Sequence, residues 1–209
     1  MKKKENWRDW LRKLRMLSRM SVKQISLKDV DGWGMQMDGE YYGRSDEKFF
    51  KITGVEISAG EEEREMKKWS QPILQEWGVG IVVLIKVRNL FLISAKAEPG
   101  NMMAGGHIFL APSIQCSESN LSQVHGGKKT PRVDLLDGLK KIRWHLFPQD
   151  GGRYYGKNNK YAVVNVEKEK VAKLENERLF SVEELKEAFL DGCCNEHLSQ
   201  VFLLYLMTQ

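Results

Sequence analysis

Residues 80–101 read GIVVLIKVRNLFLISAKAEPGN. Two apolar runs, Gly80 to Val87 and Leu90 to Ala97, flank Arg88-Asn89, which predicts a β-hairpin. The second run closes on Ala95-Lys-Ala-Glu-Pro-Gly-Asn101. In a strand, residues i and i+2 share a face, so Lys96 and Glu98 project together. Pro99 biases Glu98 towards extended geometry, and Gly100 permits a sharp exit. An ammonium and a carboxylate held on one face at a strand end suit acid/base chemistry. A plain surface ion pair at a sheet edge is the competing interpretation.

Working outward from the hairpin, strands are predicted for Val22 to Leu27, entering a turn at Asp31-Gly32, and for Lys48 to Ile57. Glu61 to Lys68 is charged and reads as a loop. Ile108 to Ser117 is a strand interrupted by Pro112, hence an edge or a bulge. Asp134 to Arg143 is a short helix or turn, Asp150-Gly-Gly152 a tight loop, and Tyr161 to Val166 a strand. Ser181 with Glu184 three residues on makes a capping box for a helix continued by Leu185 and Phe189. His197 to Met207 reads as a final buried helix. The fold class is therefore α+β, a mixed β-sheet flanked by helices, without the strict βαβ repeat of a doubly wound protein.

The composition, 42% hydrophobic and 29% charged over 209 residues, is that of a soluble globular chain with one core. No apolar run reaches the ~18–20 residues of a membrane span, no secretion signal is visible, and the three cysteines, Cys116, Cys193 and Cys194, give no disulfide framework. A cytoplasmic location is expected. Residues 1–20 hold eight Lys/Arg against two Asp/Glu, whereas the rest holds 25 against 26, so the net +5 resides at the N-terminus. There Trp7, Trp10, Leu11, Leu14 and Leu17 recur at helical spacing, with Arg8, Arg12, Arg15 and Arg19 between them. This predicts a basic amphipathic helix over 1–20, ahead of a single module over 21–209. Such a helix docks its Trp/Leu face on the body or a partner subunit, or touches an anionic surface. With no nucleic-acid motif and no membrane span, neither nucleic acid nor membrane is expected as a partner.

Several sites are excluded by pattern. There is no G-x-G-x-x-G, no P-loop and no G-x-S-x-G elbow. His107, His125, His145 and His197 are too scattered for a local zinc site. Glu56, Arg64 and Glu65 match part of the Nudix signature, but the paired magnesium glutamates are replaced by Lys68 and Trp69. No metal and no cofactor are expected.

A series of short motifs then falls in order: Lys48-Phe-Phe-Lys-Ile-Thr-Gly54, Trp69-Ser-Gln-Pro-Ile73, Gly80-Ile81, Ala95 to Asn101, Ala111-Pro-Ser-Ile-Gln115, Ser119-Asn120, Val124-His-Gly-Gly127, Gly151-Gly-Arg-Tyr-Tyr155, Asn159-Lys-Tyr161 and the closing segment from Asn195 to Leu206. In that order they resemble the NDP-hexose 2,3-dehydratases of deoxysugar biosynthesis, from about Val22 to the C-terminus. The resemblance implies a Nudix-like fold without hydrolase chemistry. It also implies a lyase acting on a nucleotide-linked, usually dTDP-linked, 4-keto-6-deoxyhexose. Water is lost across C2 and C3, and the enol becomes a 3,4-diketo-2,6-dideoxy sugar.

On that basis Glu98 is the expected base for the C3 proton, with burial raising its pKa. Lys96 would steady the enolate, and His125 or Tyr155 would protonate the departing hydroxyl. Arg153 suits diphosphate oxygens. Gln71, Gln115, Ser119 and Asn120 supply polar contacts, and Trp69 or Tyr154 a face for the base. For Trp69, Arg153 and Tyr161 a purely structural role competes. Family members usually carry two copies of the module, and one is found here, so a homodimer is expected, paired through the Trp/Leu helix face or through Val201, Phe202, Leu204 and Tyr205. A non-catalytic sugar-nucleotide-binding subunit is the alternative function, and a basic-helix interaction protein a third.

Overall fold

A computed structural model describes residues 5–101, 106–139, 141–171 and 174–208. The elements run α1 (Trp7–Leu17), β1 (Trp33–Gln36), β2 (Tyr41–Arg44), β3 (Lys51–Ser58), β4 (Lys68–Gln75), β5 (Val79–Val87), β6 (Leu90–Ala97), β7 (Ile108–Ala111), β8 (Ile114–Cys116), α2 (Glu118–Leu121), α3 (Asp134–Asp137), β9 (His145–Pro148), β10 (Asn158–Asn165), β11 (Glu177–Phe180), α4 (Val182–Leu190) and α5 (Glu196–Met207). Among the described residues they make two sheets. One is antiparallel, in the order β1-β2-β3-β4. The other is mixed, in the order β11-β6-β5-β10-β9, with β7 beside β6 and β8 beside β5.

The hairpin predicted from residues 80–97 is the centre of the mixed sheet, but it forks. β5 and β6 pair only near their turn, from Ile85↔Leu92 to Val87↔Leu90. Beyond that point β5 pairs with β8 (Val82↔Gln115) and β6 with β7 (Lys96↔Phe109). The Pro112 interruption lies at the crotch. Ser113, 5% exposed, takes the place of a direct rung: its hydroxyl accepts from Ile85 N at 2.9 Å and donates to Leu92 O. Both backbone groups stay satisfied, as burial demands. The fork opens a gap between the far ends of β5 and β6, and the candidate site lies at those ends.

Both faces of this sheet are covered, which accounts for the unbroken apolar runs. Val82, Leu84, Phe91 and Ile93 face a core built with Phe180, Leu185, Leu198, Val201, Phe202 and Tyr205. Ile81, Val83, Ile85 and Leu92 face the other way, onto Ile114, Val164 and the partly buried Leu121, Leu136 and Trp144. The alternation has the period of two that a strand imposes.

α1 joins the first core. Asn6 caps it, accepting from Arg8 N at 3.0 Å. Trp7, Trp10 and Leu11 are buried, and both indoles meet the Phe180 ring at 6.1 and 6.2 Å. Arg8 pairs with Glu187 and Asp191 at 3.0 and 2.8 Å, and Arg15 Nε donates to Ile108 O. The helix therefore docks on its own chain. That corrects the expected dimer surface, because the Trp/Leu face is already spent. Val201, Phe202 and Tyr205 are likewise buried in the core. The first four residues of the predicted 1–20 helix lie outside the described residues.

Other expectations meet mixed outcomes. The capping box is present, with Ser181 Oγ accepting from Glu184 N at 3.1 Å and Glu184 Oε2 accepting from Ser181 N at 3.0 Å. Residues 22–27 form no strand; a short 3-10 turn follows at Leu27–Asp29 instead. Val22, Ile25 and Leu27 are exposed, so no neighbouring strand rewards their β propensity. β1, β2, β4, β9 and β11 were not foreseen. All but β4 are four residues long, too short to display a period; β4 has eight residues but carries Pro72, which an edge strand tolerates. The short helix or turn expected over Asp134 to Arg143 is a single helical turn at Asp134–Asp137, and Lys140 lies outside the described residues.

Candidate active site

A cavity of about 140 Å³ opens where β5 and β6 diverge. Its lining includes Lys96 from β6, Gln115 and Cys116 from β8, Asn120 from α2, Lys157 and Asn159 at the start of β10, and His197 from α5. Five separate elements converge there, and the polar groups far outnumber the apolar ones. Burial pushes the Cys116 thiol up to about 11, so it stays protonated and is no nucleophile.

Glu98 organises one wall without lining the cavity. Its Oε1 meets Lys96 Nζ at 3.0 Å and accepts from Gln115 Nε2 at 3.0 Å. Its Oε2 accepts from Asn101 Nδ2 at 3.3 Å and Asn195 Nδ2 at 3.4 Å. Asn195 also donates to Gln115 Oε1 at 2.8 Å, while its own Oδ1 caps α5 by accepting from Leu198 N. Backbone bonds fix this corner: Leu110 N donates to Cys193 O, and Asn195 N to Leu110 O. Burial alone would raise the Glu98 pKa, as expected from the sequence. The Lys96 charge, together with hydrogen bonds from Lys96, Asn195 and Gln115, outweighs it, and the carboxyl is held below its ordinary value. The expected upward shift is thereby corrected.

The opposite wall rests on a buried ion pair. Lys157, 2% exposed at its side chain, reaches Glu76 Oε2 at 3.0 Å. Beside it Asn159 Nδ2 donates to Gln149 Oε1 at 3.0 Å. Gly80 makes room for Asn159, since a Cβ at Gly80 would lie 2.0 Å from Asn159 Oδ1. His197 closes the cavity from α5, its Nδ1 2.9 Å from the Tyr161 hydroxyl.

The residues expected from the sequence divide into groups. Lys96, Glu98, Gln115 and Asn120 come together at the cavity. Ser119 lines an adjoining hollow of about 170 Å³ with Lys48, Phe49, Trp77 and Glu118, and Glu76 borders both spaces. Tyr154 is near enough to feel the charges of Glu76 and Glu196, although burial is the main cause that raises its hydroxyl pKa. Trp69 and Gln71 stand on β4, where Trp69 Nε1 donates to Gln71 Oε1 and Gln71 Nε2 to Gly152 O. Arg153 is 79% exposed and meets Asp150 at 3.4 Å. Tyr155 is 59% exposed, and His125 is exposed with its Nδ1 accepting from Gly127 N. Neither lines the cavity.

Lys157, Glu76, Asn195 and His197 were missed. The motifs from Asn159 to Tyr161 and from Asn195 onward pointed at their neighbourhoods without singling them out. Glu56 of the partial Nudix pattern is an exposed β3 residue that meets Lys68 of the neighbouring β4 at 3.7 Å. Among the described residues no three His, Cys, Asp or Glu are grouped to hold a metal ion.

Fold and site together define an α+β protein with a small, polar pocket lined from several elements. A family model for NDP-hexose 2,3-dehydratase matches residues 4–192, and the chain belongs to that family. Similar proteins include a dTDP-4-dehydro-6-deoxy-alpha-D-glucopyranose 2,3-dehydratase of Amycolatopsis orientalis, 26% identical over 76% of this chain and 34% of its own length. Counterparts of the same description from Streptomyces violaceoruber and Saccharopolyspora spinosa are 29% and 30% identical, over 75% and 70% of this chain and 35% and 30% of their own. The chain thus spans about a third of the length of these curated relatives. Among solved structures, the chain is similar to an ADP compounds hydrolase over 80% of this chain and 89% of that one, at a TM-score of 0.49 and 10% identity.

Proposed function

We propose that the chain is an NDP-4-keto-6-deoxyhexose 2,3-dehydratase, a hydro-lyase taking a dTDP-linked sugar. The observation that carries this is the pocket at the fork, in a chain of this family, lined by the ammonium groups of Lys96 and Lys157 and the amides of Gln115, Asn120 and Asn159 around a space of about 140 Å³. The C4 ketone acidifies the C3 proton. Removing that proton leaves negative charge on the C4 oxygen, where Lys96 supplies the compensating cation. A donor aimed at such charge is typically worth about 3–4 kcal/mol. Gln115, Asn120 and Asn159 offer hydrogen bonds to the sugar hydroxyls. Glu98, saturated by four donors and set behind Lys96 and Gln115, fits a positioning role better than that of the base. The adjoining hollow offers the Phe49 and Trp77 rings to the base of the nucleotide; its Glu47, Glu76 and Glu118 outnumber the single Lys48, so it does not suit the diphosphate. Arg153 and Tyr154 are kept as outer contacts.

The test is incubation with dTDP-4-keto-6-deoxyglucose and mass spectrometric detection of the loss of one water. Tight binding of the nucleotide sugar with no loss of water would favour the alternative, a binding subunit. We keep a homodimer as the proposed assembly, on a different surface. Edge strand β9 and α5 expose Phe147, Leu203 and Met207 around an apolar groove. Light scattering at micromolar concentration decides between one 24.2 kDa chain and twice that mass. No described helix is long and apolar enough to cross a membrane. A cytoplasmic location fits the free thiols and the nucleotide-sugar substrate.

A further inference from the structure

His197 is at the entrance of α5 and contributes to the cavity lining. Its protonation can be traced from the hydrogen bonds behind it. Gln200 Nε2 donates to Glu196 Oε1 at 3.2 Å, which turns Gln200 Oε1 towards the Tyr161 hydroxyl. An amide oxygen only accepts, so the single hydroxyl proton of Tyr161 goes to Gln200. Tyr161 keeps that proton, since burial pushes its pKa up to about 12. With the proton committed, the Tyr161 oxygen can only accept from His197 Nδ1, 2.9 Å away. Nδ1 therefore carries hydrogen. Burial also holds the His197 pKa below its ordinary value, which keeps the ring neutral at pH 7. A neutral imidazole with hydrogen on Nδ1 has its free electron pair on Nε2. Among the described residues Nε2 has no hydrogen-bond partner.

We infer that His197 is the general base of this site, acting through Nε2, and that Glu196, Gln200 and Tyr161 form a relay that fixes its tautomer. The assignment rests on the proposed dehydration. In that reaction Nε2 takes the C3 proton, and the C–H electron pair enters the enolate delocalised onto the C4 oxygen beside Lys96. That pair then forms the C2–C3 double bond and expels the C2 hydroxyl. The imidazolium returns its proton to the departing oxygen, which leaves as water, and His197 ends neutral. Tyr161 touches no substrate in this scheme and is a positioning residue.

The charged groups around the ring are Glu196 on its own helix, Lys96 and Glu98 from β6 and its exit, and Lys157 and Glu76 across the cavity. The active form is the neutral one. Activity is therefore expected to be level above the ordinary histidine range and to fall as pH drops through the lowered pKa.

The experiment pairs kinetics on dTDP-4-keto-6-deoxyglucose with nitrogen-15 histidine NMR of the wild-type protein. His197→Asn is expected to lower kcat by about 10²–10⁴-fold, the usual contribution of a positioned base, with KM within a few-fold. Tyr161→Phe is expected to lower kcat by about 10²-fold, the smaller end of that range, and to move the acid limb of the pH profile. The NMR signal of His197 should report a neutral ring with hydrogen on Nδ1 at pH 7. Wild-type kcat in His197→Asn, or a ring carrying its hydrogen on Nε2, would overturn the assignment while leaving the dehydratase proposal intact. If wild-type protein releases no water, the dehydratase proposal itself fails and this assignment fails with it.

Discussion

Gly80→Ala offers a sharp test of the geometry at the fork. Gly80 has an ordinary strand backbone and is not among the glycines with positive φ, so alanine brings no conformational strain. The added Cβ would stand 2.0 Å from Asn159 Oδ1, where ordinary contact begins at 3.4 Å. Asn159 must retreat by about 1.4 Å, which breaks its 3.0 Å bond to Gln149. Losing a hydrogen bond of this kind costs about 1 kcal/mol, and overpacking a filled site adds about 1–3 kcal/mol. The sum, about 2–4 kcal/mol, lowers Tm by roughly 5–15 °C for a chain of this size. Asn159 lines the cavity, so its displacement should also raise KM for the sugar nucleotide. A double-mutant cycle isolates the cause. With Asn159→Ala already in place, the nearest remaining atom is Cys116 O at 3.5 Å, an ordinary contact. There the same Gly80→Ala change should cost less than about 1 kcal/mol, since the two sites couple only through the clash. Denaturant unfolding of the four proteins measures this. A Gly80→Ala protein as stable as wild type, or an equal loss in both backgrounds, would refute the reasoning.

Glu177 accepts from Arg132 Nε and Nη2 at 2.8 and 2.5 Å and from Leu174 N at 2.9 Å, with side chains 1% and 9% exposed; Glu177→Gln should destabilise by about 3–5 kcal/mol in urea unfolding, as a buried cation loses its counter-charge. Glu98 has a folded-state pKa below its unfolded one, so its stabilisation is present above the ordinary carboxylate range and fades as pH falls through the folded value. The stability gap between wild type and Glu98→Gln should therefore be largest near pH 7 and shrink in acid; a gap unchanged at pH 3 would contradict the ion-pair account. Trp10→Ala should cost about 3–5 kcal/mol by leaving a cavity under α1, which thermal unfolding would register; a neutral outcome would mean that α1 is not part of the core. Dehydration should persist in a metal chelator, and activity lost to chelator and restored by magnesium would show a metal requirement.

What the sequence determined by itself was local. The hairpin turn at Arg88-Asn89, the Ser181 capping box and the Trp/Leu face of α1 follow from rules that act over a few residues, and they recur in the structure. So does the Lys96–Glu98 pair, because its i, i+2 spacing needs only an extended backbone. The tertiary structure decided everything that depends on distant partners. The β5–β6 pairing stops half-way, and at the crotch Ser113, 28 residues from Ile85, satisfies the Ile85 N–H and the Leu92 carbonyl. Burial pushes the Glu98 pKa up, yet it ends lowered, first through the Lys96 charge, two residues away; Asn195, 97 residues away, and Gln115 add donors that no local pattern announces. Lys157 becomes a buried cation only when Glu76 is folded against it. His197 looked like one of four scattered histidines, and its tautomer is set by Tyr161, 36 residues earlier in the chain. Periodicity and capping are written in neighbouring residues, whereas desolvation and hydrogen-bond supply are properties of the space a side chain is folded into. That is why the walls of the pocket were partly legible from the sequence and the protonation states within it were not.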